Sequence, residues 1–516
     1  MALASSKQWG QKNAIVDGGS VLSFQALADM MVQVAQSLIA GGIKPGDRVA
    51  VWAPNSIAWI PAVLGIQAAG GWVVPLNTRL KSDEAIYILE KTDAAMIFAA
   101  DEFLGMNYIA ALTDAKPDLR ALEKAVVLPA PQSLHTPEWD AFLALGKDVD
   151  SQQVYDFIEG IDGTDVCDII FTSGTTSAPK GVLLTHMGSL GTYDIFNRDF
   201  GVNASSRYMI TTPFFHCFGY KCGWMMAMMN GATSYPVAVF DGRKSLELVS
   251  NEGITHMGGS PTMFDAMLDD PEFERFNLST LNTCVISATT IPEQIVHRVR
   301  NELTIANTFT GYGLTENHGF VSLTIPSDSA EVIATTAGRV IPELEFRVVN
   351  DEGNDVASGE DGELLVRGFM NMKGYYQDEV ETEKAMGDGW LKTGDIVRAD
   401  ENRYIKITDR KKDIYIMGGF NVAPAEVENS MLAMDGIAQI AIVAAPDKKF
   451  GEVGAAFVVR AAGSTISEDD VIAYAREHVA NYKVPRYVEF VDAYPMNAMG
   501  KVLKRELKKV IEAKLV

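Results

Sequence analysis

The sequence is poor in the residues that build metal centres, disulfides and polyanion-binding surfaces. It has four cysteines, Cys167, Cys217, Cys222 and Cys284, which form no CxxC pair and no zinc-type cluster with histidine. Lysine and arginine total 44 against 67 acidic residues, giving a formal charge of −23. This excess of negative charge argues against nucleic acid or an anionic membrane as the main partner, because both are bound through basic patches.

The sequence also has no pattern typical of a signal peptide or a membrane span. Residues 1–7 contain no long apolar segment, so we expect no signal peptide, and the few cysteines fit a protein of the reducing cytoplasm. The one long uncharged stretch, between Arg48 and Arg79, is interrupted by three prolines. It predicts a buried strand, a helix and a second buried strand rather than a transmembrane segment.

The length of the chain predicts more than one domain. A chain of 516 residues exceeds a single core, since domains usually have about 100 to 200 residues. The strand, helix, strand order of 48–76 continues beyond it and predicts an α/β domain with a mostly parallel sheet. A charged run at 409–413 precedes a smaller segment with its own strands and helices. We therefore expect a large N-terminal domain, 1–409, and a small, mobile α+β C-terminal domain, 410–516, joined by a hinge.

The apolar run 166–171 leads into a loop of glycines and hydroxyl residues that ends in one lysine. Backbone N–H, hydroxyl and ammonium groups held close together are how proteins bind phosphate oxygens. The loop is not a Walker A motif, because the required glycine-lysine-serine or -threonine ending is absent. We predict a phosphate-binding loop that contains Thr172, Ser173, Gly174, Thr175, Thr176 and Lys180.

Three later segments carry groups that suit a nucleotide. Residues 310–316 offer glycines, a tyrosine ring for stacking on a base, and a hydroxyl beside a carboxylate for Mg²⁺. Residues 287–290 follow a short strand, and Asp395 follows a threonine-glycine turn where it would accept hydrogen bonds from ribose. Each segment alone is also explained by turn chemistry. Together they predict a nucleotide site.

An aromatic strand end at 209–221 carries two polar side chains, His216 and Lys221. A polar group at the end of such a strand is expected to face a pocket, although histidine is also common in structural positions. The methionine-rich segment 222–229 that follows predicts core packing.

Five segments, in order, resemble motifs of the adenylate-forming superfamily, which includes acyl-CoA synthetases, firefly luciferases and nonribosomal peptide adenylation domains. They are 172–181, 312–316, 393–395, 409–412 and 497–501, and the resemblance covers nearly the whole chain. It implies two half-reactions: a carboxylate attacks the α-phosphate of ATP and releases pyrophosphate, and the thiol of coenzyme A then displaces AMP. It also implies ATP, Mg²⁺ and coenzyme A as cofactors, and a small carboxylic acid as the other substrate.

The resemblance implies a role for each motif position. Lys501 would bridge carboxylate and phosphate in the first half-reaction, Glu316 and Thr172 would hold Mg²⁺, and Lys412 would be the hinge pivot. His216 would gate the acyl pocket, whose other predicted residues are Cys217, Tyr220, Lys221, Ser260 and Pro261. Beyond the phosphate loop, the nucleotide and coenzyme A would contact Ala288, Thr289, Gly311, Tyr312, Gly313, Thr315, Asp395, Arg410, Gly418 and Gly419.

The phosphate loop departs from the family pattern at Ser177, where glycine is common. A non-glycine residue at positive φ is strained by about 1 to 2 kcal/mol. We therefore expect either that this position needs no positive φ or that the loop is more rigid here. Lys180 and Gly181 are retained, which argues for an active enzyme.

The sequence leaves the acid open. A cation beside an alkyl pocket is unfavourable unless it is paired or solvated, so Lys221 indicates either an acid with a second polar group or a side chain in solvent. The run 418–428 is similar to fatty-acyl and aryl CoA ligases, and 214–221 resembles CoA ligases of bacterial steroid breakdown that activate keto-bearing bicyclic propanoates. We consider a fatty-acyl-CoA synthetase, a ligase for a cyclic or keto acid, and an inactive nucleotide-binding module. The retained Lys501 and Glu316 argue against the third. The oligomeric state stays open, with a homodimer as one option.

Overall fold

The computed structural model describes residues 1–172, 179–287, 291–411, 413–417, 420–447, 450–497 and 501–515. The chain forms two compact units. The first contains Met1–Thr335 and Gly368–Gly389, and the second contains Thr336–Arg367 and Trp390–Val516. The boundary predicted between residues 409 and 410 falls inside the second unit, and the catalytic hinge stays a prediction.

The strands are numbered in chain order. They are β1 (Asn13–Asp17), β2 (Ser20–Ser23), β3 (Arg48–Trp52), β4 (Trp72–Pro75), β5 (Met96–Ala100), β6 (Glu102–Phe103), β7 (Met106–Asn107), β8 (Ala125–Leu128), β9 (Val166–Thr172), β10 (Lys180–Thr185), β11 (Arg207–Ile210), β12 (Thr233–Pro236), β13 (His256–Gly259), β14 (Thr283–Ile286), β15 (Asn307–Tyr312), β16 (Ser322–Leu323), β17 (Arg339–Val340), β18 (Glu345–Val349), β19 (Asp361–Arg367), β20 (Gly374–Tyr375), β21 (Leu391–Ala399), β22 (Ile405–Arg410), β23 (Tyr415–Met417), β24 (Phe420–Val422), β25 (Ile437–Asp447), β26 (Gly451–Arg460) and β27 (Tyr487–Phe490).

The α-helices are numbered in the same way. They are α1 (Ala2–Trp9), α2 (Phe24–Ala40), α3 (Trp59–Ala68), α4 (Ser82–Lys91), α5 (Tyr108–Ala115), α6 (Pro137–Leu145), α7 (Ser151–Gly160), α8 (His186–Phe200), α9 (Met226–Met229), α10 (Gly242–Glu252), α11 (Pro261–Leu268), α12 (Glu293–Asn301), α13 (Ala330–Thr335), α14 (Glu379–Met386), α15 (Pro424–Met431), α16 (Glu468–His478) and α17 (Lys504–Leu515). A π-helical segment spans Phe218–Met225, and short 3₁₀ helices span Arg120–Lys124, Gly146–Asp148, Phe273–Arg275, Thr315–Asn317 and Asn481–Lys483. Within the described ranges, no helix has the length and apolarity needed to cross a membrane.

One sheet of the first unit has the order β20-β10-β9-β4-β3-β5-β8. The strands from β9 to β8 in this order pair in parallel, whereas β10 pairs antiparallel with both β9 and β20. Helix α3, between β3 and β4, is buried along almost its whole length. A βαβ unit that is covered on both faces is expected to be apolar throughout, so the uncharged stretch is a buried crossover, as predicted.

The second sheet of the first unit contains β16-β15-β14-β13-β11-β12-β1-β2 in that order. Its strands β11, β12, β13, β14 and β15 are parallel. Parallel strands need crossover connections, and here helices α10, α11 and α12 supply buried faces to the core beneath them. This arrangement places the carboxyl ends of neighbouring strands at one edge.

The start and the end of helix α2 are set by residues close to them in the sequence. The Ser23 hydroxyl accepts a hydrogen bond from the Ala26 N–H at 3.1 Å and caps the start of the helix, as serine commonly does. The helix ends before Gly42, which has a φ of +80°. Its buried stripe packs against α3, where a Cβ on Gly65 would lie 2.3 Å from a methyl of Val34. Glycine is required there by the close approach of the two helices.

The second unit contains two sheets of its own. One has the antiparallel order β18-β19-β21-β22, and the other has the order β24-β23-β26-β25 with β27 beside β26. Helices α15, α16 and α17 bury Val427, Val471 and Ile511 in a core shared with β25 and β26. At the start of helix α16, Ser467 forms a capping box with Asp470. The small α+β C-terminal region of the sequence prediction is confirmed.

Candidate active site

Four adjacent parallel strands of the first unit end beside predicted site residues. His216 follows β11, Ser260 follows β13, Ser287 follows β14, and Tyr312 ends β15. Carboxyl ends of parallel strands are where open α/β sheets bind ligands. The topology therefore brings together segments that lie about one hundred residues apart in the chain.

The predicted phosphate loop lies in the chain between two antiparallel strands, β9 and β10. Thr172 and Lys180 lie directly opposite each other at the ends of β9 and β10. The residues between them that the sequence assigns to phosphate, Ser173, Gly174, Thr175 and Thr176, lie outside the described residues, as does Ser177. The hairpin register thus holds the two described ends of the loop at a fixed separation.

Lys180 has a carboxylate partner that the sequence analysis did not anticipate. Its ammonium forms an ion pair with Glu381 of α14 and lies 4.9 Å from the centroid of the Tyr375 ring. The Lys180 and Glu381 side chains are 22% and 30% exposed. Hydrogen bonds and charge from Lys180 and Lys384 lower the pKa of Glu381 to about 2, so this carboxylate is ionised at neutral pH.

Glu316, the predicted Mg²⁺ ligand, is held by Tyr375 from the neighbouring segment. Its Oε1 accepts a hydrogen bond from the Tyr375 hydroxyl at 2.9 Å, and its carbonyl accepts one from the Met372 N–H at 2.7 Å. Burial and the nearby Glu316 charge raise the pKa of Tyr375, which keeps the phenol protonated as a donor. Tyr375 therefore lies between the predicted metal carboxylate and the predicted phosphate lysine.

The residues present fit a magnesium ion that is shared with a nucleotide. Among the described residues, no group of three or more histidine, cysteine, aspartate or glutamate side chains is arranged to hold a metal alone. Mg²⁺ is usually bound by one or two carboxylates together with substrate phosphates and water. A single fixed carboxylate at Glu316, with the Thr172 hydroxyl at the hairpin end, matches that donor set.

The glycines of the segment 311–313 are required by protein packing. A Cβ on Gly313 would lie 2.2 Å from the carbonyl oxygen of Gly319, and one on Gly311 would lie 2.9 Å from that of Ser322. The next residue in the motif, Thr315, is buried. These glycines therefore allow close approach of neighbouring backbone from the same chain, at Gly319 and at Ser322 of β16.

His318 is a structural residue that the sequence analysis missed. Its Nδ1–H donates to the Met370 carbonyl at 2.7 Å, and its Nε2 accepts from the Thr185 N–H at 3.2 Å. Burial and the Lys221 charge lower its pKa to about 3, which keeps the ring neutral and leaves Nε2 available as an acceptor. With a φ of +55°, His318 ends the turn that carries Glu316.

The turn that carries His216 is fixed by Asn55. The Asn55 amide donates to the Thr212 carbonyl at 2.9 Å, and its Oδ1 accepts from the Phe214 N–H at 2.7 Å. His216 is partly buried, and this desolvation lowers its pKa to about 4. Its Nδ1 accepts a hydrogen bond from the Phe218 N–H at 3.2 Å, as a neutral ring can.

The other predicted pocket residues flank this turn or begin α11. Cys217 and Tyr220 are buried, and burial raises the pKa of the Cys217 thiol to about 12. Ser260 precedes α11 and its hydroxyl lies 2.9 Å from that of Thr262, while Pro261 is the first helical residue. Their roles toward an acyl group stay predictions.

Lys221 lies in an environment that the sequence analysis did not foresee. Of the two alternatives for Lys221, a side chain in solvent is wrong, since Lys221 is 0% exposed and its ammonium lies 2.7 Å from Asp168 Oδ2. Burial alone would lower the pKa of Lys221, but the Asp168 carboxylate outweighs burial and raises it. The cation therefore has a partner within the protein, and its charge no longer requires a polar group on the acid.

The second unit carries the remaining described site residues. Asp395 is buried after Gly394, whose φ is +70°, and it lies opposite Arg410 in the β21–β22 register. Lys501 is exposed; its N–H donates to Asn497 Oδ1 at 2.9 Å. The Asn497 N–H in turn donates to the Lys501 carbonyl at 2.8 Å. Five predicted residues elsewhere lie outside the described residues: Ala288, Thr289, Lys412, Gly418 and Gly419.

Comparison with known proteins identifies the family. The AMP-binding enzyme family matches residues 3–376, and the AMP-binding enzyme C-terminal domain matches residues 426–501. The chain therefore belongs to the AMP-binding enzyme family.

Two relatives are similar over almost the whole chain. It is 43% identical over 485 residues to a 7a-methyl-1,5-dioxo-octahydro-1H-inden-4-yl propanoyl:CoA ligase of Mycobacterium tuberculosis, covering 94% of this chain and 93% of the relative. It is 40% identical over 508 residues to the protein of the same name from Rhodococcus jostii, covering 98% and 96%. Among solved structures, ATP-bound MatB from Rhodopseudomonas palustris has a TM-score of 0.86 and 25% identity, covering 99% of this chain and 98% of that chain.

These findings confirm the superfamily resemblance and the predicted fold class. The protein is an AMP-forming ligase that joins a carboxylic acid to coenzyme A and uses ATP. The inactive binding module of the sequence analysis is not supported.

Proposed function

We propose that the protein activates a monocarboxylic acid whose acyl group carries a keto-bearing bicyclic ring on a propanoate side chain. The observation that supports this most strongly is the 43% and 40% identity to two relatives named for such an acid, each over more than nine tenths of both chains. The segment 214–221, which forms the turn after β11, is the part of the predicted pocket that resembles those enzymes.

The charge balance of the pocket region supports an acid with one carboxylate. Asp168 neutralises Lys221, so Lys221 offers no uncompensated positive charge to a second carboxylate on the acid. His216 adds none at neutral pH, since burial lowers its pKa to about 4. A straight-chain fatty acid, the other acid considered from the sequence, satisfies the same balance and is the second candidate.

In the proposed first half-reaction, the chain supplies groups that stabilise negative charge on the α-phosphate. Lys180 and the hydroxyl-rich loop would hold the phosphates, and Lys501 would bridge the carboxylate and the α-phosphate. One preorganised contact of this type contributes about 3 to 4 kcal/mol to transition-state stabilisation. Glu316, oriented by Tyr375, would hold Mg²⁺ with Thr172, and the ion would neutralise phosphate charge when bound.

The remaining roles concern the nucleoside and the second half-reaction. Tyr312 would stack on adenine, and Asp395 would bind ribose with Arg410 nearby. Gly418 and Gly419 would edge the channel for coenzyme A, and Lys412 would be the pivot of a domain movement between the two half-reactions. A cytoplasmic location and a homodimer are further predictions, and light scattering of the purified protein tests the homodimer.

The experiment that tests the proposal is pyrophosphate release from ATP and Mg²⁺ over a panel of acids, with and without coenzyme A. The panel runs from acetate to palmitate, then through aryl acids to keto-bearing bicyclic propanoates. We expect the highest kcat/KM with the bicyclic propanoates. A maximum on straight chains would transfer the assignment to fatty acids, and no release with any acid would contradict the whole proposal.

A matched variant separates the roles of the two half-reactions. Lys501→Ala should abolish pyrophosphate release but leave acyl-CoA formation from supplied acyl-adenylate, because the bridge is needed only in the first step. Equal loss of both reactions would show that Lys501 has a different role.

A further inference from the structure

A buried cluster of hydrogen-bonded polar side chains surrounds Asp168 in the first unit. The Lys221 ammonium donates to Asp168 Oδ2 at 2.7 Å and to the Ser189 hydroxyl. The Tyr220 hydroxyl donates to Asp168 Oδ1 at 3.0 Å, and the Gln67 amide donates to the same oxygen at 3.2 Å. Lys221 and Asp168 are 0% and 1% exposed. Asp168 has no role in the site predicted from the sequence.

A gain in folding stability does not by itself explain a buried ion pair of this kind. Removing two charges from water is unfavourable, and apolar residues of the same size often give an equally stable core. Here the carboxylate is fully satisfied, since the Cys167 thiol also donates to Asp168 Oδ2 at 3.1 Å. Burial would raise the pKa of Asp168, but Lys221 and these hydrogen bonds outweigh it and lower the pKa, so the pair stays charged. A charged network with this many directional bonds fixes the relative position of the segments that carry it.

The segments joined by the pair support different parts of the site. Asp168 is on β9, four residues before Thr172 and the phosphate loop, and it lies opposite Leu184 of β10. Lys221 is in the π-helical segment Phe218–Met225, five residues after His216. Strand β9 belongs to one sheet of the first unit, and the π-helical segment follows β11 of the other. The pair therefore links the strand that leads into the phosphate loop to the segment that follows the His216 turn.

We propose that Asp168 and Lys221 are a positioning pair that holds β9, the strand that leads into the phosphate loop, relative to the His216 turn, and so aligns ATP with the acid. The inference rests on the proposed function and adds to it residues that act through their neighbours. Two separate substrates must be aligned for the first half-reaction, and a misplacement of about 1 Å lowers the rate about 100-fold. An acyl-adenylate already joins both parts covalently, so its reaction with coenzyme A does not depend on this alignment.

The test uses the full-length double variant D168N/K221M, which removes both charges and nearly preserves both shapes. Three quantities are measured: pyrophosphate release at saturating acid and ATP, acyl-CoA formation from supplied acyl-adenylate, and the unfolding temperature. We expect kcat for pyrophosphate release to fall about 100-fold. Thioester formation from the adenylate should stay close to that of the wild type, and so should the unfolding temperature.

A second variant keeps the test decisive if the double variant does not fold. Tyr220→Phe retains the ring and both charges and removes the hydroxyl that donates to Asp168 and accepts from the Gln67 amide. It should show the same bias toward loss of the first half-reaction, with a smaller magnitude.

The matched control truncates a core residue away from the pair. Val299 packs in a buried cluster with Leu246 and Ile305, which contains no predicted site residue, so Val299→Ala should lower the unfolding temperature without changing the ratio of the two half-reactions. Equal loss of both half-reactions in the double variant, or loss of neither, would overturn the positioning role. A wild-type protein that releases no pyrophosphate with any acid would instead overturn the proposed function.

Discussion

Two lysine–carboxylate pairs each have one member on the β9–β10 hairpin, and the pairs differ in their access to water. Lys221 and Asp168 are 0% and 1% exposed. Lys180 and Glu381 are 22% and 30% exposed. Asp168 is the third residue of β9, away from the loop, whereas Lys180 is the first residue of β10, next to the loop.

The difference indicates how each lysine can be used. A buried ion pair is hard to separate, because either charge would be left without solvent. A partly exposed pair contributes little net stability and exchanges partners readily. Lys221 is therefore suited to fixing distances, while Lys180 is suited to leaving Glu381 for a phosphate. The same residue type thus has a structural role at one end of the hairpin and a ligand-binding role at the other.

The largest effect should follow from breaking the buried pair on one side only. Lys221→Met leaves the Asp168 carboxylate buried and unpaired, so we expect the free energy of unfolding to fall by about 3 to 5 kcal/mol. Urea denaturation measures it. The D168N/K221M protein is the control and should recover most of the loss, whereas a double variant as unstable as the single one would show that the charges are not the cause.

Removing the lysine of the exposed pair should affect catalysis by a comparable free energy and leave the stability of the protein nearly unchanged. Lys180→Met should reduce kcat/KM for ATP by about 100- to 1,000-fold, since it removes one preorganised cation from the phosphates. The free energy of unfolding should change by less than about 1 kcal/mol, as for other exposed pairs. Steady-state pyrophosphate release and urea denaturation measure the two quantities. A large loss of stability would show that the exposed pair, like the buried one, has a structural role.

The acid sensitivity of the protein should come from buried histidines and not from the buried pair. Burial lowers the pKa of both His216 and His256 to about 4. The unfolded chain has a histidine pKa of about 6.5, so between these values it binds more protons than the folded chain. Stability from each histidine is complete above pH 6.5 and is lost, by about 1.4 kcal/mol per pH unit, as the pH falls toward 4. Denaturation of His256→Gln between pH 7 and 4 should show a shallower decline than the wild type, and an unchanged slope would contradict the assignment.

The smallest effect should follow from removing the carboxylate of the exposed pair. Glu381→Gln should change the free energy of unfolding by less than about 1 kcal/mol. We expect it to lower the KM for ATP modestly, because Lys180 no longer has to leave an anionic partner, and the gain should shrink at high salt as charges are screened. Glu383→Gln, on the same helix, is the control. A higher KM in Glu381→Gln alone would mean that Glu381 orients Lys180.

Much of the local structure could be predicted because it depends on nearby residues. The α2 cap at Ser23, the strand at 283–286 and the helix at 468–478 all follow from residue types within one or two turns. Longer-range pairing sets other bounds: β25 extends to Asp447, because it pairs with β26 as far as Gly451. Helix α3 begins at Trp59, whose N–H donates to the Ser56 hydroxyl at 3.3 Å.

The sequence by itself determined the order of the motifs, the α/β and α+β character of the two regions and the identity of the groups that suit phosphate and a carboxylic acid. These depend on residue type and on short spacings. The partners of those groups were decided only by the tertiary structure. Lys221 meets Asp168 across 53 residues, Tyr375 meets Glu316 across 59, and Lys180 meets Glu381 across 201. Such pairings depend on sheet order and strand register, which set the pairs of distant side chains that share one buried volume.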